Sequence, residues 1–202
     1  MTATAIKTET TNRRGEVLDT AARLFARHGY AATSIRDIAT DVGMQPSSIY
    51  YFFKSKDELF AAVYAEGVER ILAAVQAATR NGGNPWQRLR QAATAHLESL
   101  LTGGDYAAVV IKQQPQRDDD LRDELVGYRD RYEIMFGDMV AELPLTDGSG
   151  GGGADLRYLR LTLLGALNSV VTWYQPGGDT PAVIAGHIID LIRSQLDPEA
   201  TP

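Results

Sequence analysis

The 202-residue chain contains no cysteine, which excludes disulfide scaffolds, thiolate zinc sites and thiol catalysis. It has only three histidines, His28, His96 and His187, which lie far apart and show no metal-binding spacing. The most apolar stretch, residues 156–174, still contains Arg157 and Arg160, and charges in so short a run argue against a membrane span. The polar N-terminus lacks the apolar core of a signal peptide. These absences predict a soluble, cytoplasmic protein without a metal site or bound cofactor.

The acidic balance of the chain is unevenly distributed. The net charge is −6, which at first argues against a nucleic-acid partner. Residues 1–58, however, hold eight Lys/Arg and seven Asp/Glu, whereas residues 59–202 hold twelve and nineteen. The acidity therefore lies in the larger C-terminal part, and a small DNA-binding head at the N-terminus remains compatible with the charge.

Helical periodicity dominates the sequence, and no run alternates at period two for long enough to indicate a sheet. We therefore predict an all-α fold of about nine helices, in which three short helices and one long helix precede a helical bundle. Capping residues, prolines and glycines place the helices at about residues 13–28, 34–42, 46–54, 55–79, 84–101, 105–114, 121–143, 155–174 and 180–196. The predicted domains are a flexible tail (1–12), a head (13–58) and a ligand-binding and dimerisation domain (59–202), whose glycine run at 150–153 is a linker.

The second and third predicted helices are short and are joined by a tight turn at Gly43. This is the pattern of a helix-turn-helix, whose second helix enters the major groove of DNA. Ser47, Ser48 and Tyr51 lie off the apolar stripe of that second helix and carry groups that hydrogen-bond to bases or phosphates. On the pattern alone, a solvated helical hairpin in an ordinary bundle is an equal alternative.

The residues of the head carry a more specific signal. Segments 29–30, 33–39, 42–44 and 49–59 closely resemble, in order and register, the head of the TetR family of repressors. The resemblance implies that Arg36 reaches base edges and that Tyr50 and Lys56 bind phosphates of the DNA backbone. The alternatives are that Arg36 pairs with Asp37 or Asp41, and that Lys56 is simply solvated. The full set of DNA contacts it implies is Ser34, Arg36, Gln45, Pro46, Ser47, Ser48, Tyr50, Tyr51 and Lys56.

The eighth predicted helix is apolar almost all the way round, so it must be buried on all sides. In so small a chain, part of that burial is expected to come from a second subunit, and Gly165 allows a close approach between helices. The ninth helix carries a matching stripe that includes Ile188 and Leu191. The family resemblance implies a homodimer through Leu156–Tyr174 and Thr180–Leu196, and the alternative is one larger monomeric core.

A shorter resemblance concerns the ligand. Segments 164–168 and 173–178 are similar to a branch of the family that senses acyl-CoA thioesters, which implies a small hydrophobic effector. Arg129 and Arg131 would meet the CoA phosphates, unless they pair with Glu133 and Asp130 instead. A neutral aromatic or drug-like ligand is the second option. The residues expected to bind the effector are Tyr64, His96, Val110, Gln113, Tyr132, Leu164 and Asn168, although each could equally pack the core.

The sequence as a whole predicts a homodimeric, ligand-responsive regulator that binds a double-stranded operator, most simply a repressor released by its effector. No set of residues has the spacing of a nucleophilic, acid–base or metal-dependent catalytic site, so no enzymatic activity is expected. The alternative is a helical ligand-binding protein or enzyme with a degenerate DNA-binding head.

Overall fold

A computed structural model describes residues 3–112, 120–145 and 155–197 of the chain. Within these ranges the protein is helical and contains no strand, which confirms the all-α prediction. The helices are α1 (Ala3–His28), α2 (Ile35–Asp41), α3 (Pro46–Phe52), α4 (Lys56–Thr79), α5 (Pro85–Thr102), α6 (Gly104–Lys112), α7 (Asp120–Ala141), α8 (Leu156–Trp173) and α9 (Pro181–Leu196).

Several helices begin where local capping chemistry predicted. The Ser34 side chain accepts a hydrogen bond from the backbone N–H of Asp37, and the Asn84 side chain accepts one from the N–H of Gln87. Thr180 caps α9 in the same way. Each cap satisfies a backbone donor that the first turn of a helix leaves unpaired, so the sequence fixes these starts locally.

The first helix differs from its prediction. It begins at Ala3, although the apolar stripe indicated a start near Arg13 and a flexible tail before it. Residues 3–12 contain neither glycine nor proline, so nothing in them breaks the helix. They also lack an apolar stripe, so helical periodicity does not predict a helix there. The glycine run at 150–153 lies outside the described residues.

The chain divides into two compact units. The first unit consists of residues 1–68 and 104–128, so that α6 and the start of α7 are grouped with the N-terminal helices. Its core includes Phe25, whose ring contacts the rings of Tyr30 and Phe60 at centroid distances of 5.9 and 5.3 Å. The predicted boundary near residue 58 did not include α6, because its packing against α1 is a long-range contact.

The second unit consists of residues 69–103 and 129–202. In it α5 packs against α9 and α8, and the side chains of Leu97, Phe136, Leu163 and Ile189 are fully buried. These apolar side chains recur at helical spacing, which is the amphipathic pattern that predicted the bundle.

Candidate functional site

The third helix presents a polar face to solvent. Ile49 and Phe53 are buried and anchor α3 to the first unit, which leaves the opposite face outside. On that face Tyr51 is 78% exposed, and its ring packs edge-on against the ring of Phe52 at 5.2 Å. The other predicted contacts of α3 and its N-cap are exposed or half-buried: Gln45, Pro46, Ser47, Ser48 and Tyr50.

The turn before α3 depends on a glycine. Gly43 has a φ of 69°, a left-handed conformation that side chains with a Cβ rarely adopt. The turn is closed by hydrogen bonds from the N–H of Gly43 to Thr40 O at 3.2 Å and from the N–H of Met44 to Ala39 O at 2.8 Å. These bonds fix the angle between α2 and α3, which confirms the tight turn predicted at Gly43.

Arg36 is exposed on α2, and its two alternative partners are engaged elsewhere. The Asp37 carboxylate accepts hydrogen bonds from the N–H and hydroxyl of Ser34 at 2.8 and 2.6 Å, and these bonds lower its pKa. Asp41 pairs with Arg23. Both carboxylates that could have paired with Arg36 on α2 are therefore engaged by other residues. Ser34, which was also predicted to contact DNA, uses its side chain to cap α2.

Lys56 has a structural role that the sequence did not indicate. Its ammonium group donates to the backbone carbonyls of Tyr30 at 3.0 Å and Thr33 at 3.1 Å, and lies 4.1 Å from the centre of the Tyr30 ring. The Tyr30 hydroxyl in turn donates to Asp57. The start of α4 is thereby tied to the turn between α1 and α2. Tyr30 was missed as a contributor, and its position directly after the helix-ending Gly29 was the available signal.

Helix α6 is fastened to α1 within the first unit. The Tyr106 hydroxyl donates to Asp19 at 2.8 Å, and the Lys112 ammonium donates to the carbonyl of Ala26 at 3.2 Å. Helix α4 also approaches α6 closely, since a Cβ on Gly67 would lie 2.7 Å from a methyl of Val110. Helix α6 therefore contacts both α1 and α4 within the first unit.

Three of the predicted effector residues meet in the second unit. The Tyr132 hydroxyl lies 2.5 Å from His96 Nδ1, and His96 Nε2 lies 3.1 Å from Asn168 Oδ1. Desolvation lowers the pKa of His96 to about 4 and raises that of the Tyr132 phenol well above its usual value. Both groups are therefore neutral at pH 7, and they form a hydrogen-bonded chain from α7 through α5 to α8.

The remaining predicted effector residues do not join this cluster. Leu164 is buried on α8 in the second unit, whereas Tyr64 and Val110 belong to the first unit, and Gln113 lies outside the described residues. Their assignment to an effector pocket stays a prediction.

The two candidate phosphate-binding arginines have carboxylate partners. Arg129 pairs with Glu133 at 3.3 Å, as the sequence alternative proposed. Arg131 pairs with Glu69 at 2.5 Å rather than with Asp130. Both guanidinium groups are more than half exposed, so these are surface ion pairs of low strength.

Helices α8 and α9 each have a buried and an exposed apolar face. Leu163 and Ile189 are fully buried in the core of the chain itself. A second set of apolar side chains is exposed to solvent: Leu156, Tyr158, Leu161, Trp173, Val183 and Leu191. An exposed apolar surface of this kind is typical of an interaction site.

The described residues contain no group of His, Asp and Glu that could hold a metal ion. None of the described helices is both long enough and apolar enough to cross a membrane.

Two family models match the chain. The model for bacterial regulatory proteins of the tetR family matches residues 17–63, which contain α2, α3 and the turn between them. The model for the tetracyclin repressor-like C-terminal domain matches residues 82–196, more than half of the chain.

Individual proteins are similar over most of the chain. The HTH-type transcriptional repressor KstR2 of Rhodococcus jostii is 29% identical over 94% of this chain and 92% of its own length. A crystal structure described as the superantigen pfit is 29% identical, with a TM-score of 0.72 over 87% of this chain and 86% of its own. AibR in complex with isovaleryl coenzyme A and operator DNA shares the fold, with a TM-score of 0.75, 21% identity and coverage of 89% and 97%.

Proposed function

The chain belongs to the TetR family of bacterial regulatory proteins, and on that premise we propose that it is a repressor that leaves a palindromic operator when it binds a small hydrophobic effector. The observation that carries this proposal is the exposed polar face of α3, which stands on the buried side chains of Ile49 and Phe53. A short helix held in this way fits the major groove of B-DNA.

The exposed residues of the head divide into two roles. Ser47 and Tyr51 lie on the outward face of α3, where they reach base edges, and Arg36 reaches bases from the neighbouring helix. Tyr50 is exposed beside them and donates to the phosphate backbone. Lys56 adds positive charge near the phosphates, while its bonds to two backbone carbonyls hold the turn between α1 and α2 in place.

A palindromic operator requires two heads related by a two-fold axis, with recognition helices about 34 Å apart. We propose that the exposed apolar faces of α8 and α9 form this homodimer. Leu191 is 69% exposed and Tyr158 is 64% exposed, and burial of such side chains against a second copy is favourable by roughly 25 cal/mol per Å².

For the effector we propose an acyl-CoA thioester. This class is supported by the shared fold of AibR, whose structure contains isovaleryl coenzyme A, and by the fatty-acid degradation regulator FadR of Bacillus halodurans, which also shares the fold. Phosphate groups would displace Glu133 and Glu69 from Arg129 and Arg131, an exchange that costs about 0.2–1 kcal/mol per surface pair. Regulation then depends on binding alone, without a catalysed reaction, and takes place in the cytoplasm, where the DNA is.

The signal is proposed to reach the head through α6. Because Tyr106 and Lys112 bind α6 to α1, an effector that binds better when α6 is displaced also favours a displaced head. The resulting loss of operator affinity equals at most the difference between the effector's affinities for the two conformations.

The DNA-binding role is tested with fragments selected from genomic DNA and with quantitative gel shifts. Arg36→Ala should weaken operator binding about 10- to 100-fold, whereas Lys56→Ala should weaken binding to all sequences and reduce the salt slope by about one unit. Arg80→Ala is the matched control, since Arg80 is an exposed arginine that directly follows α4 in the sequence and is not among the predicted DNA contacts. Equal effects of Arg36→Ala and Arg80→Ala would show that the head does not read the operator.

The effector class is tested separately by thermal shift and by release from the operator. Acyl-CoAs should raise the melting temperature and release the DNA, while free CoA and the free acids should do much less. Release only by uncharged hydrophobic compounds would overturn the acyl-CoA proposal and leave the repressor proposal intact.

A further inference from the structure

The exposed surface of α8 combines apolar and polar side chains, and Asn168 is a polar one that also contacts the interior of the second unit. Asn168 is exposed and lies seven residues after Leu161 and three residues after Gly165, so the three share one stripe of the helix. An asparagine in such a stripe has both a carbonyl oxygen and an amino group to satisfy if a partner covers it.

The interior of the second unit satisfies only one end of this amide. Asn168 Oδ1 lies 3.1 Å from Nε2 of His96, which is 2% exposed, and Nδ1 of the same ring lies 2.5 Å from the hydroxyl of Tyr132, which is 9% exposed. The exposed amide is thus held from behind by two buried side chains.

This chain has a definite direction. A neutral imidazole has one donor and one acceptor nitrogen, and we assign Nε2 as the donor because it faces the carbonyl oxygen of Asn168. Nδ1 is then the acceptor, and the Tyr132 hydroxyl donates to it. With its oxygen turned toward His96, Asn168 directs the two N–H donors of its amino group away from the core.

We propose, on the basis of the homodimer proposed above, that Asn168 determines how the two copies pair, by donating across the two-fold axis to an acceptor on the same stripe of the second copy. His96 and Tyr132 are positioning residues that keep the amino group outward. Acceptors are present on this surface, since the hydroxyls of Ser169 and Thr172 donate to backbone carbonyls at 2.8 and 2.7 Å and retain oxygen lone pairs.

The energetic reason is the cost of an unpaired donor. When a second copy covers this stripe, an amino group without an acceptor loses its hydration and gains nothing in return. A pairing that leaves Asn168 opposite only apolar side chains is therefore disfavoured, and the two-fold axis applies this penalty twice. One buried asparagine in an apolar seam fixes register in coiled coils by the same physics.

The test is a double-mutant cycle on the dimer dissociation constant, measured by sedimentation with the full chain. Tyr132→Phe removes the hydroxyl that sets the direction of the chain, and should weaken the dimer about tenfold when residue 168 is asparagine. In the Asn168→Leu background the same change should weaken it less than twofold, because no outward amide remains to be positioned. Additive effects of the two substitutions would overturn the inference.

Phe136→Leu is the matched control. The Phe136 ring lies 5.1 Å from the Tyr132 ring and 6.0 Å from the His96 ring but takes no part in the chain of hydrogen bonds, so its effect should be equal in both backgrounds. A second readout guards against variants that fold poorly: the Asn168 side-chain amide protons of the wild-type dimer should exchange slowly with solvent. Rapid exchange in an intact dimer would overturn the inference, whereas a wild-type monomer at micromolar concentration would overturn the proposed dimer itself.

Discussion

At the scale of single residues, His96 makes stability depend on pH. Burial keeps its imidazole neutral and lowers its pKa to about 4, against an ordinary value of 6.5. Below about pH 6.5 the imidazole is protonated in the unfolded chain but stays neutral in the folded chain. The contribution of His96 to the free energy of unfolding is therefore complete above pH 6.5 and is lost as the pH falls toward 4.

We expect the free energy of unfolding to fall by roughly 3 kcal/mol over that window on account of His96 alone. Urea unfolding between pH 7.5 and 4.5 measures the slope, and His96→Gln, which retains a hydrogen-bonding amide without a titration, is the comparison. Identical slopes for the two proteins would contradict the assignment.

At the scale of elements, the contact between α4 and α6 depends on Gly67. A Cβ there would lie 2.7 Å from a Val110 methyl and 3.0 Å from the backbone oxygen of Tyr106, so Gly67→Ala must displace α6. We expect a net loss of about 1–2 kcal/mol in the free energy of unfolding, because overpacking outweighs the gain in helix propensity. Gly127→Ala, whose Cβ meets nothing within 4 Å, should instead stabilise by about 0.5–1 kcal/mol. Thermal or urea unfolding decides the prediction, which fails if both substitutions change stability in the same direction.

The elements also show how far the sequence predicts this fold. The starts of α2, α5 and α9 were predicted correctly, because Ser34, Asn84 and Thr180 cap their helices through neighbours three residues away. The predicted start of α1 was wrong, because residues 3–12 carry neither a capping signal nor an apolar stripe that would indicate a helix. The bond between Tyr106 and Asp19 joins positions 87 residues apart, and no local pattern encodes it.

The same limit applies to the candidate sites. Exposure of the outward residues of α3 follows from the helical spacing of Ile49 and Phe53, so periodicity predicts it. The contacts of Lys56 could not be predicted from residue spacing. Its partners are backbone carbonyls, which every residue has, so no pattern of residue types indicates them. His96, Tyr132 and Asn168 were named as polar groups inside an apolar bundle, but their order in one chain required the packing of three helices.

At the scale of the whole molecule, the proposed dimer gives a sharp expectation. Periodicity does not separate Leu163, which lies in the chain's own core, from Leu191, which is exposed. Leu191→Glu should leave the monomer folded but weaken the dimer at least about 100-fold, because association would bury an unpaired charge. Ile134→Glu, at a position 58% exposed on α7, is the control and should remain dimeric. Light scattering at micromolar concentration measures both, and a dimeric Leu191→Glu protein would rule out this surface.

The attachment of α6 to α1 also limits how this protein can be recombined. A chimera cut near residue 58, with its head exchanged for that of another regulator, would separate Asp19 from Tyr106 and Ala26 from Lys112. The incoming head would meet an α6 evolved for a different surface. The hybrid would then bind its operator, but effector binding would not release it from the DNA. A working biosensor built on this scaffold has to transplant the α1 surface that faces α6 together with the sensing domain, and take from the donor only the helices that touch DNA.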